Sequence, residues 1–225
     1  MELSILEKVA LIALDDDTGK WVTDSMRLNY ALAGGVLFQL AKKNKIEIVD
    51  GKVNLLDSNI TDDILLNEAI KILEKIGNKK AVNVIYKFAR LTRSSKDEIV
   101  KGLMAKGILK EQEDKILFIF PKTHYPMIDG TLENAIKAEL NKIVYEGKEV
   151  EDEDNLFLLN ILISCGLEKE VFGKDVNKKE LSNRIKEITS DDKVGRATFE
   201  AIKQMQSAMT VLIMTSTMGA VTSGR

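Results

Sequence analysis

RSSKDEIVKGLMAKGILKEQEDKILFIFPKTHY, residues 93–125, decides the reading of this 225-residue chain. Ser95, Lys96, Asp97 and Glu98 have the form of a capping box, in which the serine hydroxyl accepts from the third backbone N–H and the glutamate reaches back. Behind them Ile99, Leu103 and Met104 recur at helical spacing, and Gly107 readily takes the left-handed turn that closes a helix. The pattern predicts a helix starting at Ser95. Ile108-Leu109 and the apolar run 115–120 then bracket the polar segment 110–114, which predicts a β-hairpin over 108–120. Two cations, Arg93 and Lys96, flank the predicted helix start. The positive end of a helix disfavours cations there by roughly a few tenths of a kcal/mol, unless an anion sits between them. Free N–H groups beside two cations form a phosphate pocket, so these are the first candidate ligand residues. Solvated surface side chains are the alternative.

Composition narrows the classes. Apolar residues at 44% and charged residues at 30% are ordinary for a globular protein, and two prolines in the whole chain favour helix. A net charge of −2 gives no general attraction to nucleic acid, so any polyanion contact needs a local patch. Cys165 is the single cysteine, which excludes an internal disulfide and fits a reducing compartment. The first twelve residues are amphipathic and lack the form of a signal peptide. The apolar run 209–221 falls short of the ~18 residues needed to span a bilayer. A soluble, cytoplasmic protein is expected.

Outward from the central stretch, Leu3, Ile5, Leu6, Val9, Ala10 and Ile12 predict a first helix, stopped by Asp15-Asp16-Asp17-Thr18-Gly19. Those acids are consecutive, not alternate as in a calcium loop, so they read as a turn. A short extended piece with Trp21 follows, then a helix over 26–43 interrupted by Gly34-Gly35. Two glycines inside a helix cost about 2 kcal/mol against alanine, which implies close packing or a bend. Asp50-Gly51 between 45–49 and 52–56 predicts a hairpin. Helix followed by hairpin thus occurs twice, which is also the design of a winged-helix module. Further helices are expected over 61–76 (capped by Thr61), 80–91, 132–145, 156–162, 178–188 and 193–218. The last, with methionines at 205, 209, 214 and 218, is expected in the core. No linker divides the chain. The expected fold is mainly α, a single compact helical domain over 1–225 with small β-hairpins. His124, the only histidine, is assigned no chemistry. No serine elbow, phosphate-binding glycine loop, zinc-helix motif or cysteine-pair spacing appears, so neither enzyme, metal nor cofactor is expected.

Leu14-Asp15-x-x-x-Gly19, then Leu32-x-Gly34-Gly35-Val36-Leu37-x-x-Leu40-Ala41 before a strand, then Leu103-x-x-Lys106-Gly107-Ile108-Leu109, the hairpin and Thr123-His124 stand in an order and spacing that together are specific. From Leu6 to about Phe172 the chain resembles the Golgi phosphoprotein 3 family, whose eukaryotic members are peripheral membrane proteins. The resemblance implies a helical single domain, binding of phosphatidylinositol 4-phosphate and, in eukaryotes, retention of glycosyltransferases in the Golgi. The family's headgroup pocket uses a tryptophan, an arginine just before the glycine matching Gly34, and two basic residues at the start of the helix that precedes the second hairpin. The last two match Arg93 and Lys96. The position before Gly34 is Ala33, and Asp24 stands where the tryptophan would be. Trp21 lies three residues earlier, and Trp21 and Arg27 are the candidate helpers. The basic N-terminal tail that recruits coat proteins has no counterpart, so a short prokaryotic member is expected.

The leading expectation is therefore a cytoplasmic protein, peripherally membrane-associated, that binds an anionic phospholipid headgroup, with a membrane-protein cargo as a further partner. The alternative is a winged-helix-like DNA-binding regulator. Charge weighs against it: the 95–106 helix sets three lysines against Asp97 and Glu98, and the 26–43 helix is largely apolar. The 115–120 strand is apolar at consecutive positions and so on both faces. Leu117 and Phe118 are accordingly expected in a homo-oligomer or membrane contact.

Overall fold

The computed structural model describes residues 2–114, 122–189 and 196–222. α1 (Ile5–Ile12) opens on Ser4, whose Oγ accepts from Glu7 N (3.3 Å) while Glu7 Oε2 accepts from Ser4 N (2.8 Å). The aspartates form the expected turn: Asp15 Oδ1 accepts from Thr18 N, and Gly19 adopts φ +62°. A Cβ at Gly19 would lie 2.1 Å from Pro126 N, so the turn and the 125–126 backbone approach as only glycine allows.

α2 (Ser25–Lys42) is the central helix, capped by Asp24, whose Oδ1 accepts from Met26 N and Arg27 N. Every residue from 28 to 38 is buried. The glycine pair permits close packing on two sides. A Cβ at Gly34 would meet Met209 Sδ at 2.7 Å, and one at Gly35 would meet Leu6 Cδ2 at 2.6 Å. α9 (Arg196–Thr222) and α1 thus close on α2 where it lacks side chains. Phe38 stacks on Phe157 of α6 (Glu153–Cys165), centroids 4.6 Å apart. Asp154 ties the three helices together, 2.7 Å from Lys8 Nζ and 2.8 Å from Lys42 Nζ. The two ammonium groups outweigh burial and hold its carboxyl below the usual carboxylate range.

The Asp50-Gly51 hairpin forms as expected. β1 (Ile46–Val49) and β2 (Lys52–Leu55) pair antiparallel with Ile48 opposite Val53, and both turn residues have positive φ, 51° and 71°. β3 (Lys79–Lys80) adds to β2. α3 (Ile64–Ile76) is capped by Asp63 and not by Thr61, whose hydroxyl donates to Asp63 O and accepts from Asp63 N. α4 (Ala81–Ala105) corrects the central expectation: it is one 25-residue helix where two were read. Ser94 and Ser95 do not cap a helix start. Their hydroxyls donate back to Leu91 O at 2.8 and 3.1 Å, as serines do inside helices.

β4 (Gln112–Asp114) and β5 (Lys122–His124) form the base of the second hairpin. Leu117 and Phe118 lie outside the described residues. α5 (Thr131–Asn141) continues into a π-helical turn, Lys142–Glu146, closed by Gly147 in the left-handed region. α7 (Glu168–Phe172) and α8 (Lys178–Thr189) follow α6. α9 is buried on one side only: Met205, Met209, Leu212 and Ile213 are inside, while Val211 and Met214 are exposed. The surroundings of Met218 lie outside what is described. Among the described residues no helix is long and apolar enough to cross a membrane. The architecture is mainly α with small antiparallel hairpins, as expected.

Candidate functional site

α4 packs against α2, and the contact is pinned by Thr92. This buried threonine donates its hydroxyl to Asn29 O at 3.1 Å. With Thr92 turned inward, the residues beside it on α4 are turned along the surface. Arg90 and Arg93 line a cleft of about 350 Å³ between the two helices, facing Met26, Asn29 and Tyr30 of α2, with Tyr86 one turn earlier on α4. Lys96 continues the row, its Nζ donating to Ser25 Oγ at 3.2 Å. Residues spaced by three are neighbours on a helix surface, so Arg90, Arg93 and Lys96 form one cationic edge.

Among the described residues, no carboxylate forms an ion pair with Arg90, Arg93 or Lys96. Burial, and then the charge of Arg93, push the Lys96 ammonium below the usual lysine range, against the pull of Asp97. A bound anion would relieve that repulsion. Asn29 is 9% exposed, and its Oδ1 has no hydrogen-bond partner at the cleft wall.

Arg93 and Lys96 are therefore brought together, but not around a helix start. Residues 93–98 lie inside α4, where the helix takes up their amide groups, so any phosphate is held by side chains alone. The two helper residues sit elsewhere. Arg27 Nε is 3.2 Å from Asp24 Oδ2, off the direction of a hydrogen bond, and its Nη1 is close enough to Gly166 to contact a Cβ there at 3.2 Å. Trp21 is half-buried, bridged to Leu14 and packed against the core. Neither lines the cleft. The cleft is lined instead by Asn29, Tyr86 and Arg90, none of which was singled out from the sequence. The Arg90-x-x-Arg93-x-x-Lys96 spacing was the available signal, hidden by a helix boundary drawn between Leu91 and Ser95.

A larger groove, about 740 Å³, opens on the other side of α4. Glu7, Asp62, Asp63, Glu68 and Glu98 line it and no Lys or Arg does, so it repels phosphate. The remaining reactive groups are spoken for. Burial pushes the Cys165 thiol up to about 12, which leaves it inert as a nucleophile at neutral pH. His124 is buried in β5.

The profile of the Golgi phosphoprotein 3 (GPP34) family matches residues 5–205. Vacuolar protein sorting-associated protein 74 of Schizosaccharomyces pombe is 26% identical over 164 residues, 63% of this chain and 48% of the relative. Its namesake from Eremothecium gossypii is 25% identical over 163 residues, 63% of this chain and 49% of the relative. Both relatives are fungal, not prokaryotic, and the chain spans about half the length of each. With nine-tenths of its length matched by one family profile, the chain belongs to the Golgi phosphoprotein 3 family.

Proposed function

We propose that this chain is a peripheral membrane protein that holds an anionic phospholipid headgroup, phosphatidylinositol 4-phosphate by its family, at the Arg90–Arg93–Lys96 edge of α4. One observation carries the reading: three cations with no carboxylate partner among the described residues stand in a row, two of them lining a cleft and the third beside it. Exposed cations in a structural role are ordinarily paired or scattered, and a row of uncompensated charge is suited to phosphate. Cytoplasmic location at a membrane surface, a membrane-protein cargo and self-association through the second hairpin belong to the same proposal.

The test is liposome flotation of Arg93→Ala/Lys96→Ala. Each basic residue at an anionic surface contributes about 1 kcal/mol, so the double change should weaken binding to anionic vesicles by roughly tenfold or more. Arg90→Ala should weaken it by about fivefold on the same scale. Unchanged flotation of the double variant overturns the proposal.

A further inference from the structure

The exposed side chains around the cleft are apolar as well as basic. Met26 of α2 is 45% exposed and Tyr86 of α4 is 52% exposed, and both line the cleft that Arg90 and Arg93 enter. Val22, 37% exposed, lies in the loop leading to α2, three residues before the Ser25 that meets Lys96. Three extended residues span at most about 10 Å, so Val22 belongs to the same end of the molecule. Leu28, by contrast, only two residues beyond Met26, is fully buried. The chain has core positions for apolar side chains at this end and still leaves these three outside.

A soluble phosphate compound gains little from exposed methionine, valine and tyrosine. A bilayer uses both halves of the surface: its phosphates meet the cations, and the region just beneath takes apolar side chains, with tyrosine favoured at the boundary. We propose that Val22, Met26 and Tyr86 form an apolar foot that enters the outer acyl region of an anionic bilayer while Arg90, Arg93 and Lys96 hold phosphates at its surface. The foot rests on the headgroup reading for its cations, but it is tested separately.

Trp21, the only tryptophan, precedes Val22 and reports on its depth. The probe is phosphatidylcholine vesicles carrying phosphatidylinositol 4-phosphate, with bromine near the top of the acyl chains. Bound wild-type protein should show quenched Trp21 fluorescence. Val22→Ser/Met26→Ser, which leaves Tyr86 and the three cations in place, should bind these vesicles at least tenfold more weakly, yet bind soluble inositol 1,4-bisphosphate as wild type does. Val22→Ile/Met26→Leu, which keeps the apolar character, should retain vesicle binding. Unquenched Trp21 in vesicle-bound protein, or a serine variant that floats like wild type, overturns the foot. Wild-type protein that binds the soluble headgroup but no vesicle also overturns it, and leaves the headgroup site standing.

Discussion

Glu133 shows how much a single residue contributes to the behaviour of the fold. It lies in the first turn of α5, 1% exposed, with Lys137 Nζ 2.6 Å away and Asp16 paired to the same lysine at 3.6 Å. Burial raises its carboxyl to about 7, Lys137 pulls it down and Asp16 pushes it up again. A carboxyl raised above its unfolded value contributes stability that is complete below the unfolded pKa and is lost as pH rises through the folded one. Stability should therefore fall between about pH 5 and 7, by at most about 1.4 kcal/mol per unit from this group. Glu133→Gln should flatten that slope and be the more stable protein above pH 7. Urea unfolding across this range measures both, and equal slopes for the two proteins would refute the assignment. Sequence reading did not find Glu133, because burial of a helix-start acid depends on the turn packed over it. It did find Arg93 and Lys96, since charge at a given position is written in the chain. It missed Arg90 because membership of one helix edge depends on where the helix begins.

At the scale of elements, α4 separates what is local from what is not. The Asp50-Gly51 hairpin was legible because two residues with positive φ fix the turn and its flanking strands. Ser95-x-x-Glu98 was equally local and misled, because a capping box is only one use of that spacing. Phe88 and Ile99 lie on the inward side of α4 with buried Thr92 between them, and packing on α2 carries the helix through the polar 93–98 stretch. Tertiary burial overrode a local stop signal. The two readings of Ser95 make opposite predictions. A serine that caps a helix loses about 1 kcal/mol on change to alanine. A serine that bonds back inside a helix loses nothing, and Ser94→Ala/Ser95→Ala should gain up to about 1 kcal/mol from the better helix former. Chemical denaturation distinguishes the two by sign. Destabilisation by more than about 1 kcal/mol would restore the helix start, and with it the amide groups first assigned to the phosphate.

For the whole molecule, repetition of helix and hairpin invited a winged-helix reading. Of the two helices followed by a hairpin, α2 is buried without a break from 28 to 38 and has no face there to offer a DNA groove, while α4 sets Lys96, Lys101 and Lys106 against Asp97 and Glu98. The second hairpin is different, since most of its described base is exposed. His124 of β5 is buried, while Gln112, Glu113 and Thr123 are exposed. Its distal part, with Leu117 and Phe118, lies outside the described residues, and the case there rests on sequence. On the sequence alone, strand alternation would put Leu117 and Ile119 on one face and Ile116, Phe118 and Phe120 on the other, and the proposal is that a second copy of the chain covers one of them. Covering a side chain such as leucine or phenylalanine is worth about 1.5–3 kcal/mol, enough for a second subunit to supply. Under the proposed function, association would also serve recruitment: a few cations bind a membrane weakly, and linked copies gain avidity without new contacts. The intact protein should therefore be a homo-oligomer by light scattering at tens of micromolar, which needs roughly 6 kcal/mol net and so several such side chains from each copy. Leu117→Ser/Phe118→Ser should be a monomer with unchanged helix content and poorer recruitment to anionic vesicles. An intact protein that is monomeric under those conditions, with vesicle binding untouched by the two serines, would place the hairpin in the core of one chain and remove it from the account of recruitment.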